Sequence, residues 1–300
     1  MPIPIYVIGS SNTDMVVKTD RLPLPGETLL GGKFLLNPGG KGANQAVAAA
    51  RLGGQVSFVA NLGNDLFGSQ ALEHFEKENI NTEFVSLDED EPSGVALINV
   101  DSKGENTIVV ASGSNSNLTP QKLTQFFNSV KTHSLVVIQF EIPLPTVEFV
   151  VQQCANKSIP VIINPAPANK ISEELWKHVF AVTPNESEAE IITGIKITDE
   201  QSIRVAGKNL IDKGVQQVII TLGKRGAYWC NKNGSGFVSA PVVNAVDTTA
   251  AGDCFNGAFA VAIAEGKSIP DAVSFACQAA SISVTLMGAQ SSMPYRNEII

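Results

Sequence analysis

Two aspartates, Asp247 and Asp253, flank a run of small residues in the stretch NAVDTTAAGDCFNGAFA, residues 244–260. After Asp253 the chain becomes apolar at helical spacing, so this carboxylate stands where a helix begins. An aspartate there commonly caps the helix by accepting backbone N–H bonds. Capping explains Asp253 alone and leaves the TTAAG run and the second aspartate unexplained. Backbone N–H groups at such a turn, together with the helix dipole, attract anions.

A phosphoryl group in transfer is an anion that would use both features of this turn. If the amides of residues 250–253 converge on it, the carboxylate of Asp253 can accept the proton of the attacking hydroxyl. The transition state of phosphoryl transfer is loose, so the base needs only to be close and ionised, and an ordinary carboxylate is adequate. The stretch therefore predicts a general base and an anion-binding turn at one helix start.

A second glycine-rich turn, NPGGKGAN, occupies residues 37–44. It is not a Walker A loop, because Lys41 is followed by Gly42 rather than Ser or Thr. It is not a dinucleotide fingerprint either, because Gln45 stands at the third glycine position. A tight left-handed connection would also explain the glycines, and a solvated side chain would explain Lys41.

The elements around these turns predict an α/β fold. From residue 135 apolar strands alternate with amphipathic helices, one of them SEELWKHVF, which is typical of a mostly parallel sheet covered on both faces. Two long Ala-rich helices follow, at about 250–265 and 270–286. Gly-rich strands near 27–36 and a hairpin at 94–111 predict a small separate sheet. Ligands bind beyond the carboxyl ends of such strands, where the loops GSSNTD, NPGGKGAN, QFEIP, TPNESE, TLGKRG and VDTTAAGD would converge.

Composition limits the classes of partner. The chain has 300 residues, 44% of them hydrophobic, and a net charge of −8, so it is a globular protein for which nucleic acid and anionic membranes are poor partners. The first residues lack a basic region and no apolar run reaches the length of a membrane span. Four widely spaced cysteines favour reduced thiols, and we expect a cytoplasmic protein.

The motifs GSSNTD, NPGGKGANQAVAAARLG, TPNESEAEIITG, TLGKRGAY and VDTTAAGDCFNGAF, in this order and nearly from end to end, resemble those of the PfkB-type carbohydrate kinase family. Within it they are most similar to the members that phosphorylate D-ribose. The resemblance implies ATP-dependent transfer to the ribose 5-hydroxyl, giving ribose 5-phosphate. It also implies one Rossmann-like domain over residues 1–300, with a β-sheet lid formed from about 12–36 and 94–111 that joins two subunits into a homodimer.

The same resemblance implies a role for individual residues. Asp253 corresponds to the catalytic base, and the amides of Ala250, Ala251 and Gly252 correspond to the anion hole. The sugar-binding set comprises Asn12, Asp14, Gly40, Lys41, Gly42, Asn44 and Glu141, together with Asp253. The nucleotide-binding set comprises Asn185, Thr221, Gly223, Lys224, Gly226, Gly252 and Cys277. Asn185 and Glu188 match a motif that holds Mg²⁺ through water, and an activating K⁺ would lie among Asp247, Thr249, Ser283, Leu286, Gly288 and Ser292.

Several of these residues have structural explanations as well. Asn185 and Glu188 could form a capping pair, Asp14 could stabilise a turn, and Glu141 could be ordinary loop polarity. Cys277 departs from the His or Asn that relatives often carry near the purine, which puts the adenine contacts in doubt.

The substrate and the activity have alternatives too. The acceptor could be 2-deoxyribose, fructose, a ketodeoxysugar acid or a nucleoside, although the two sugar loops carry no Arg for an acid and no apolar shelf for a base. A regulatory protein that binds sugar or nucleotide without turnover is the alternative outside the enzymes.

Overall fold

The computed structural model describes residues 3–299. The strands, in chain order, are β1 (Ile5–Ile8), β2 (Asn12–Lys18), β3 (Lys33–Gly39), β4 (Val56–Gly63), β5 (Asn81–Asp88), β6 (Gly94–Val100), β7 (Asn106–Ala111), β8 (Leu135–Gln139), β9 (Val161–Asn164), β10 (Ala181–Val182), β11 (Gln217–Thr221), β12 (Ala227–Asn231) and β13 (Gly234–Val238). The α-helices are α1 (Lys41–Arg51), α2 (Leu66–Lys77), α3 (Thr124–Ser129), α4 (Leu144–Asn156), α5 (Glu186–Thr193), α6 (Glu200–Asp212), α7 (Ala251–Ala264) and α8 (Ile269–Ser283).

Nine strands form the large sheet, in the order β13-β12-β11-β10-β9-β8-β1-β4-β5. The seven strands from β11 to β5 are parallel, and β12 and β13 extend the sheet as an antiparallel hairpin. The prediction of a mostly parallel Rossmann-like sheet with helices on both faces is confirmed.

Helices cover both faces of this sheet, which explains its apolar strands. In β1, Tyr6 and Ile8 belong to a core cluster that includes residues of α4 and α6, whereas Ile5 and Val7 belong to one that includes residues of α1, α7 and α8. Successive strand residues point to opposite faces, so a strand buried on both sides is apolar at most of its positions.

The small sheet has the order β3-β2-β6-β7. Its central pair, β2 and β6, is parallel, and the outer strands pair antiparallel to them. Met15, Leu36, Leu97 and Val109 lie in one row across all four strands, on one face of the sheet. The predicted lid therefore exists as a separate sheet, whereas the division of residues 1–300 into domains stays a prediction.

Four local predictions were wrong. The loop GSSNTD is shorter than expected, because β2 already begins at Asn12. Within the Gly-rich segment 27–36 only residues 33–36 belong to a strand, β3, which continues to Gly39. SEELWKHVF contains a 3₁₀ helix, Glu173–His178, rather than an α-helix. Helix α8 ends at Ser283, before the predicted 286. Each difference lies where Gly, Ser or a short segment weakens local preference and tertiary packing decides.

Close packing of α1 against α7 brings the two glycine-rich motifs together. A Cβ on Gly257 of α7 would lie 2.7 Å from Ala48 Cβ and 2.8 Å from Gln45 O of α1, so only glycine allows this approach. The first turns of both helices consequently meet at the carboxyl edge of the large sheet. Among residues 3–299, no helix is long and apolar enough to cross a membrane.

Candidate active site

Asp253 lies in the first turn of α7 and is buried. Asn44 Nδ2 donates a hydrogen bond of 2.9 Å to one of its carboxylate oxygens, and Gln45 Nε2 donates one of 2.9 Å to the other. Burial raises the pKa of Asp253, while the positive charge of Lys41 and the two amide donors oppose that rise. The carboxylate is therefore fixed in position by α1, and two amides and an ammonium favour its ionised form.

The predicted anion-binding turn begins α7. Ala250, the residue before the helix, has a φ of 58°, a left-handed conformation that turns the chain into the helix. The N–H of Ala251 donates to Thr248 O at 3.3 Å. Gly252 and Asp253 have N–H groups with no acceptor among residues 3–299, as expected of a first helical turn. These two amides are therefore available to an anion.

Asp14, on β2, faces the same space and is largely buried. No protein group within residues 3–299 donates a hydrogen bond to its carboxylate, and burial, with the charges of Glu141 and Asp253, raises its pKa to about 7. Lys41 opposes this shift. A carboxylate withdrawn from water and without donors is suited to accept hydrogen bonds from a polyol.

Asn12 and Glu141 are held by Asn115 and Ser10, which the sequence did not single out, and by the backbone of Lys41. Asn115 Nδ2 donates to Asn12 Oδ1 at 2.8 Å, which leaves Asn12 Nδ2 as the donor available to a ligand. Glu141 accepts a hydrogen bond from the hydroxyl of Ser10 and one of 2.9 Å from the backbone N–H of Lys41. Glu141 thereby ties the loop after β8 to the start of α1.

The Lys41 ammonium is surrounded by acidic groups. Burial lowers its pKa, but the carboxylates of Asp253, Glu141, Glu188 and Asp14 outweigh burial and hold the pKa above its usual range. Lys41 therefore stays charged and partly neutralises a site that would otherwise carry only negative charge.

The glycines of NPGGKG are required by close approach. A Cβ on Gly39 would overlap the carboxylate of Asp14, and one on Gly42 would lie 2.6 Å from Gly9 C. Gly40 has a φ of 88° and caps α1. The sequence prediction placed Gly40 and Gly42 in the sugar-binding set, and in the structure both let α1 begin against the end of β1.

A cavity of about 380 Å³ lies on the other side of the α7 start. Six of the seven residues predicted to bind nucleotide line it: Thr221, Gly223, Lys224, Gly226, Gly252 and Cys277. Pro241, Val242 and Val243 form an apolar wall that the prediction missed, although the apolar run APVV outside any strand was a signal for it. Burial raises the pKa of the Cys277 thiol to about 12, so the thiol is an uncharged part of this lining.

Asn185, the seventh residue, lies beside the cavity rather than in its lining. Its backbone forms an isolated β-bridge with Thr221, and its side chain caps α5 in a capping box with Glu188. Glu188 N donates to Asn185 Oδ1 at 2.8 Å, and Asn185 N donates to Glu188 Oε2 at 2.8 Å. Burial raises the pKa of Glu188. The capping role is therefore present, and each carboxylate oxygen still has a lone pair for a further ligand.

Of the six residues predicted around K⁺, three are directly joined. Asp247 accepts hydrogen bonds from the N–H (3.0 Å) and hydroxyl (2.7 Å) of Thr249, and from Gly288 N at 3.0 Å. Burial raises the pKa of Asp247, but these hydrogen bonds outweigh it and hold the pKa below its usual range. Ser283 and Ser292 instead donate their hydroxyls to nearby backbone carbonyls, and Leu286 is half-exposed.

A chain of buried amides behind Asp253 was not predicted. Gln139 donates to Gln45, Gln45 donates to Asn164, and Gln290 donates to Asn44 at 3.1 Å. His74 contacts Gln290 Oε1 at 2.9 Å. These residues come from distant parts of the chain, and the only sequence signal was a buried-looking Gln in the Ala-rich helix α1.

Comparison with known proteins identifies the family. The family model described as pfkB family carbohydrate kinase matches residues 4–296. The chain belongs to this family. The family resemblance that the sequence motifs implied is thus confirmed.

Individual relatives cover nearly the whole chain. A ribokinase of Haemophilus influenzae is 43% identical over 99% of this chain and 97% of its own length. A deoxyribokinase of Salmonella typhimurium is 38% identical over 97% of this chain and 95% of its own length. The structure of an Arabidopsis thaliana ribokinase complexed with ribose and ATP is similar, with a TM-score of 0.92 and 33% identity over 100% of this chain and 98% of that one.

Proposed function

We propose that this carbohydrate kinase transfers the γ-phosphoryl group of ATP to the 5-hydroxyl of D-ribose and releases ribose 5-phosphate and ADP. The observation that carries the proposal is the position of Asp253 between two spaces. On one side lie the polar groups of Asp14, Asn12 and Glu141, and on the other lies a nucleotide-sized cavity. The ribokinase relative and the similar ribose- and ATP-bound structure support ribose as the acceptor.

In this mechanism the protein positions two substrates and moves one proton. Asp253 takes the proton of the 5-hydroxyl as the sugar oxygen forms its bond to the γ-phosphorus, and the bond from that phosphorus to the bridging oxygen of ADP breaks. The N–H groups of Gly252 and Asp253 donate to the phosphoryl oxygens, where negative charge lies in the transition state. Lys41 favours the ionised carboxylate until the proton moves.

Metal ions complete the proposal. Mg²⁺ is often held by one or two carboxylates together with waters and substrate phosphates. Glu188 and Asn185 would hold it through water, and the ion would neutralise phosphate charge. For K⁺, the oxygens of Asp247 and Thr249 are suitable donors, and the bond from Gly288 to Asp247 fixes the loop around them. We propose that K⁺ orders the turn that presents the anion-binding amides.

The residues on the sugar side of the site discriminate between ribose and other acceptors. The deoxyribokinase relative makes 2-deoxyribose the main alternative, and fructose, a ketodeoxysugar acid and a nucleoside are others. Asp14 has no protein donor among residues 3–299, so an acceptor that lacks the hydroxyl bonded to Asp14 would leave this carboxylate unpaired, which selects against that acceptor. A regulatory protein without turnover has no need of the fixed carboxylate of Asp253.

We further propose a homodimer formed through the small sheet and a cytoplasmic location. Leu36, Leu97 and Val109 lie in one row of a single sheet face and are 45%, 53% and 67% exposed. Such an apolar sheet face is typical of a surface that a partner covers. The cysteines are free and buried, which agrees with a reducing compartment.

An ADP-release assay with defined acceptors tests the activity. Purified protein is given MgATP and D-ribose, 2-deoxyribose, fructose or other pentoses and hexoses, in K⁺ or in Na⁺ buffer. We expect the highest kcat/KM with ribose, faster turnover in K⁺, and a 5-phosphate product by phosphorus NMR. A higher kcat/KM for 2-deoxyribose than for ribose would show that 2-deoxyribose is the substrate instead. ATP binding with no ADP release in the presence of any of the sugars would favour the regulatory alternative.

A further inference from the structure

Gln45 is a buried amide that the mechanism above does not use. Its side chain has 0% exposure, so no substrate entering from solvent reaches it. Nε2 donates to Asp253 Oδ1 at 2.9 Å and to Asn164 Oδ1 at 3.1 Å, and Oε1 accepts from Gln139 Nε2 at 2.7 Å. All of its polar atoms are therefore engaged, and each partner lies at the carboxyl edge of the sheet or at the start of α7.

These contacts fix the orientation of the Gln45 amide. Turned by 180°, its oxygen would face the oxygens of Asp253 and Asn164, and its NH₂ would face the NH₂ of Gln139. Gln139 is the last residue of β8, and Asn164 is the last residue of β9. The rigid sheet edge thus orients Gln45, and Gln45 orients the carboxylate.

The arrangement has a cost in stability. Gln139 Oε1 is one of two buried side-chain atoms without a hydrogen-bond partner among residues 3–299, the other being Asn209 Oδ1. A Cβ on Gly9 would overlap this oxygen, so Gly9 leaves it room. Buried unsatisfied carbonyls are uncommon and call for an explanation. The explanation here is that the NH₂ of Gln139 must point toward Gln45, which leaves the Gln139 oxygen without a donor.

We propose that Gln45 is a positioning residue for the catalytic base: it fixes the side-chain rotamer of Asp253 toward the acceptor hydroxyl and stabilises the carboxylate as an ion. This inference rests on the proposed function. Burial raises the pKa of Asp253, and the donor of Gln45 is among the groups that oppose that rise. Without it, the base would be less often ionised and free to rotate.

The test is the pH dependence of kcat in Gln45→Met, which keeps the volume and removes the hydrogen bonds. We expect kcat to fall about 10- to 100-fold, and the acid limb of its pH profile to move up by about one unit. KM for ribose and for ATP should change less than about threefold, because Gln45 touches neither. An unchanged kcat and acid limb, or an effect on KM alone, would overturn the proposal.

Two further variants separate positioning from general stability. Gln139→Met removes the partnerless oxygen, and Gln45 Oε1 loses its donor, so the melting temperature should change little. Because Gln45 is then less firmly oriented, kcat should fall about 3- to 10-fold, and the acid limb should move in the same direction by a smaller amount. Asn61→Leu is the matched control, because Asn61 Nδ2 donates to the buried carboxylate of Asp88 at 2.7 Å outside this network. It should lower the melting temperature and leave the acid limb in place.

The outcomes are distinct. If Gln45→Met does not fold, Gln139→Met decides alone, and an unmoved profile there refutes the inference. An equal shift of the acid limb in Asn61→Leu would refute it too. Wild-type protein that releases no ADP with ribose would defeat the proposed function, whereas active wild-type protein beside an unperturbed Gln45→Met would defeat this inference only.

Discussion

Replacing Asp14 by Asn should stabilise the ligand-free protein at pH 8. The pKa of Asp14 in the folded chain is raised from 3.8 to about 7, first by burial and then by the charges of Glu141 and Asp253. A carboxyl group whose pKa is higher in the folded state binds its proton more tightly there, so its ionisation opposes folding. A rise of about three pKa units corresponds to about 4 kcal/mol of destabilisation of the folded state. This destabilisation is fully present above pH 7 and is lost as the pH falls toward the pKa of Asp14 in the unfolded chain.

The amide in the Asp14→Asn variant carries no charge, but it must still be withdrawn from water, which offsets part of that gain. We therefore expect a gain of about 2–4 kcal/mol at pH 8, a rise in Tm of about 3–6 °C for a chain of this size. At pH 4 the gain should shrink below about 1 kcal/mol, because Asp14 is then protonated in the folded wild type. Ribose binding should weaken at the same time, because an amide NH₂ replaces one of the two acceptor oxygens.

Thermal unfolding of both proteins between pH 4 and 8, without sugar or nucleotide, measures the difference. Asp65→Asn is the control of opposite sign: burial raises the pKa of Asp65, but hydrogen bonds from Gly68 and Ser93 outweigh it, so this ion stabilises the fold. It should lose stability at pH 8. The reasoning would be refuted if Asp14→Asn had no higher Tm than the wild type at pH 8, or if its Tm gain were equal at pH 4 and pH 8.

Three further predictions concern the site and the small sheet. Asp253→Asn should keep ribose and ATP binding by calorimetry and lose turnover by on the order of 10²-fold or more, and near-wild-type turnover would refute its role as base. Gly39→Ala places a Cβ against the carboxylate of Asp14 and should raise KM for ribose at least about tenfold, whereas Gly234→Ala, whose nearest contact is 3.6 Å away, should leave KM unchanged. Leu97→Lys puts a charge in the exposed apolar row and should give a monomer by sedimentation, and an intact dimer would count against that interface.

The alternation of strands and helices from residue 135 onward, and the position of Asp253 at a helix start, followed from the sequence. Buried parallel strands are mostly apolar, and a helix start after a glycine-rich or small-residue turn is a local feature of the chain. Asp253, Asp14 and the loop at Thr221 were therefore found from residue types and the resemblance to a family, since each lies close to a strand end or at a helix start.

Tertiary structure alone decided how these groups act on one another. Asn44 and Asp253 are 209 residues apart in sequence, and they meet because Gly257 lets α7 approach α1. The amides of Gln45 and Gln139 have no local signature, since a buried Gln in an apolar segment gains its role from a partner far along the chain. The pKa of Asp14 likewise depends on burial and on charges brought from other elements. Long-range packing sets such distances and desolvation, and no short stretch of sequence encodes them.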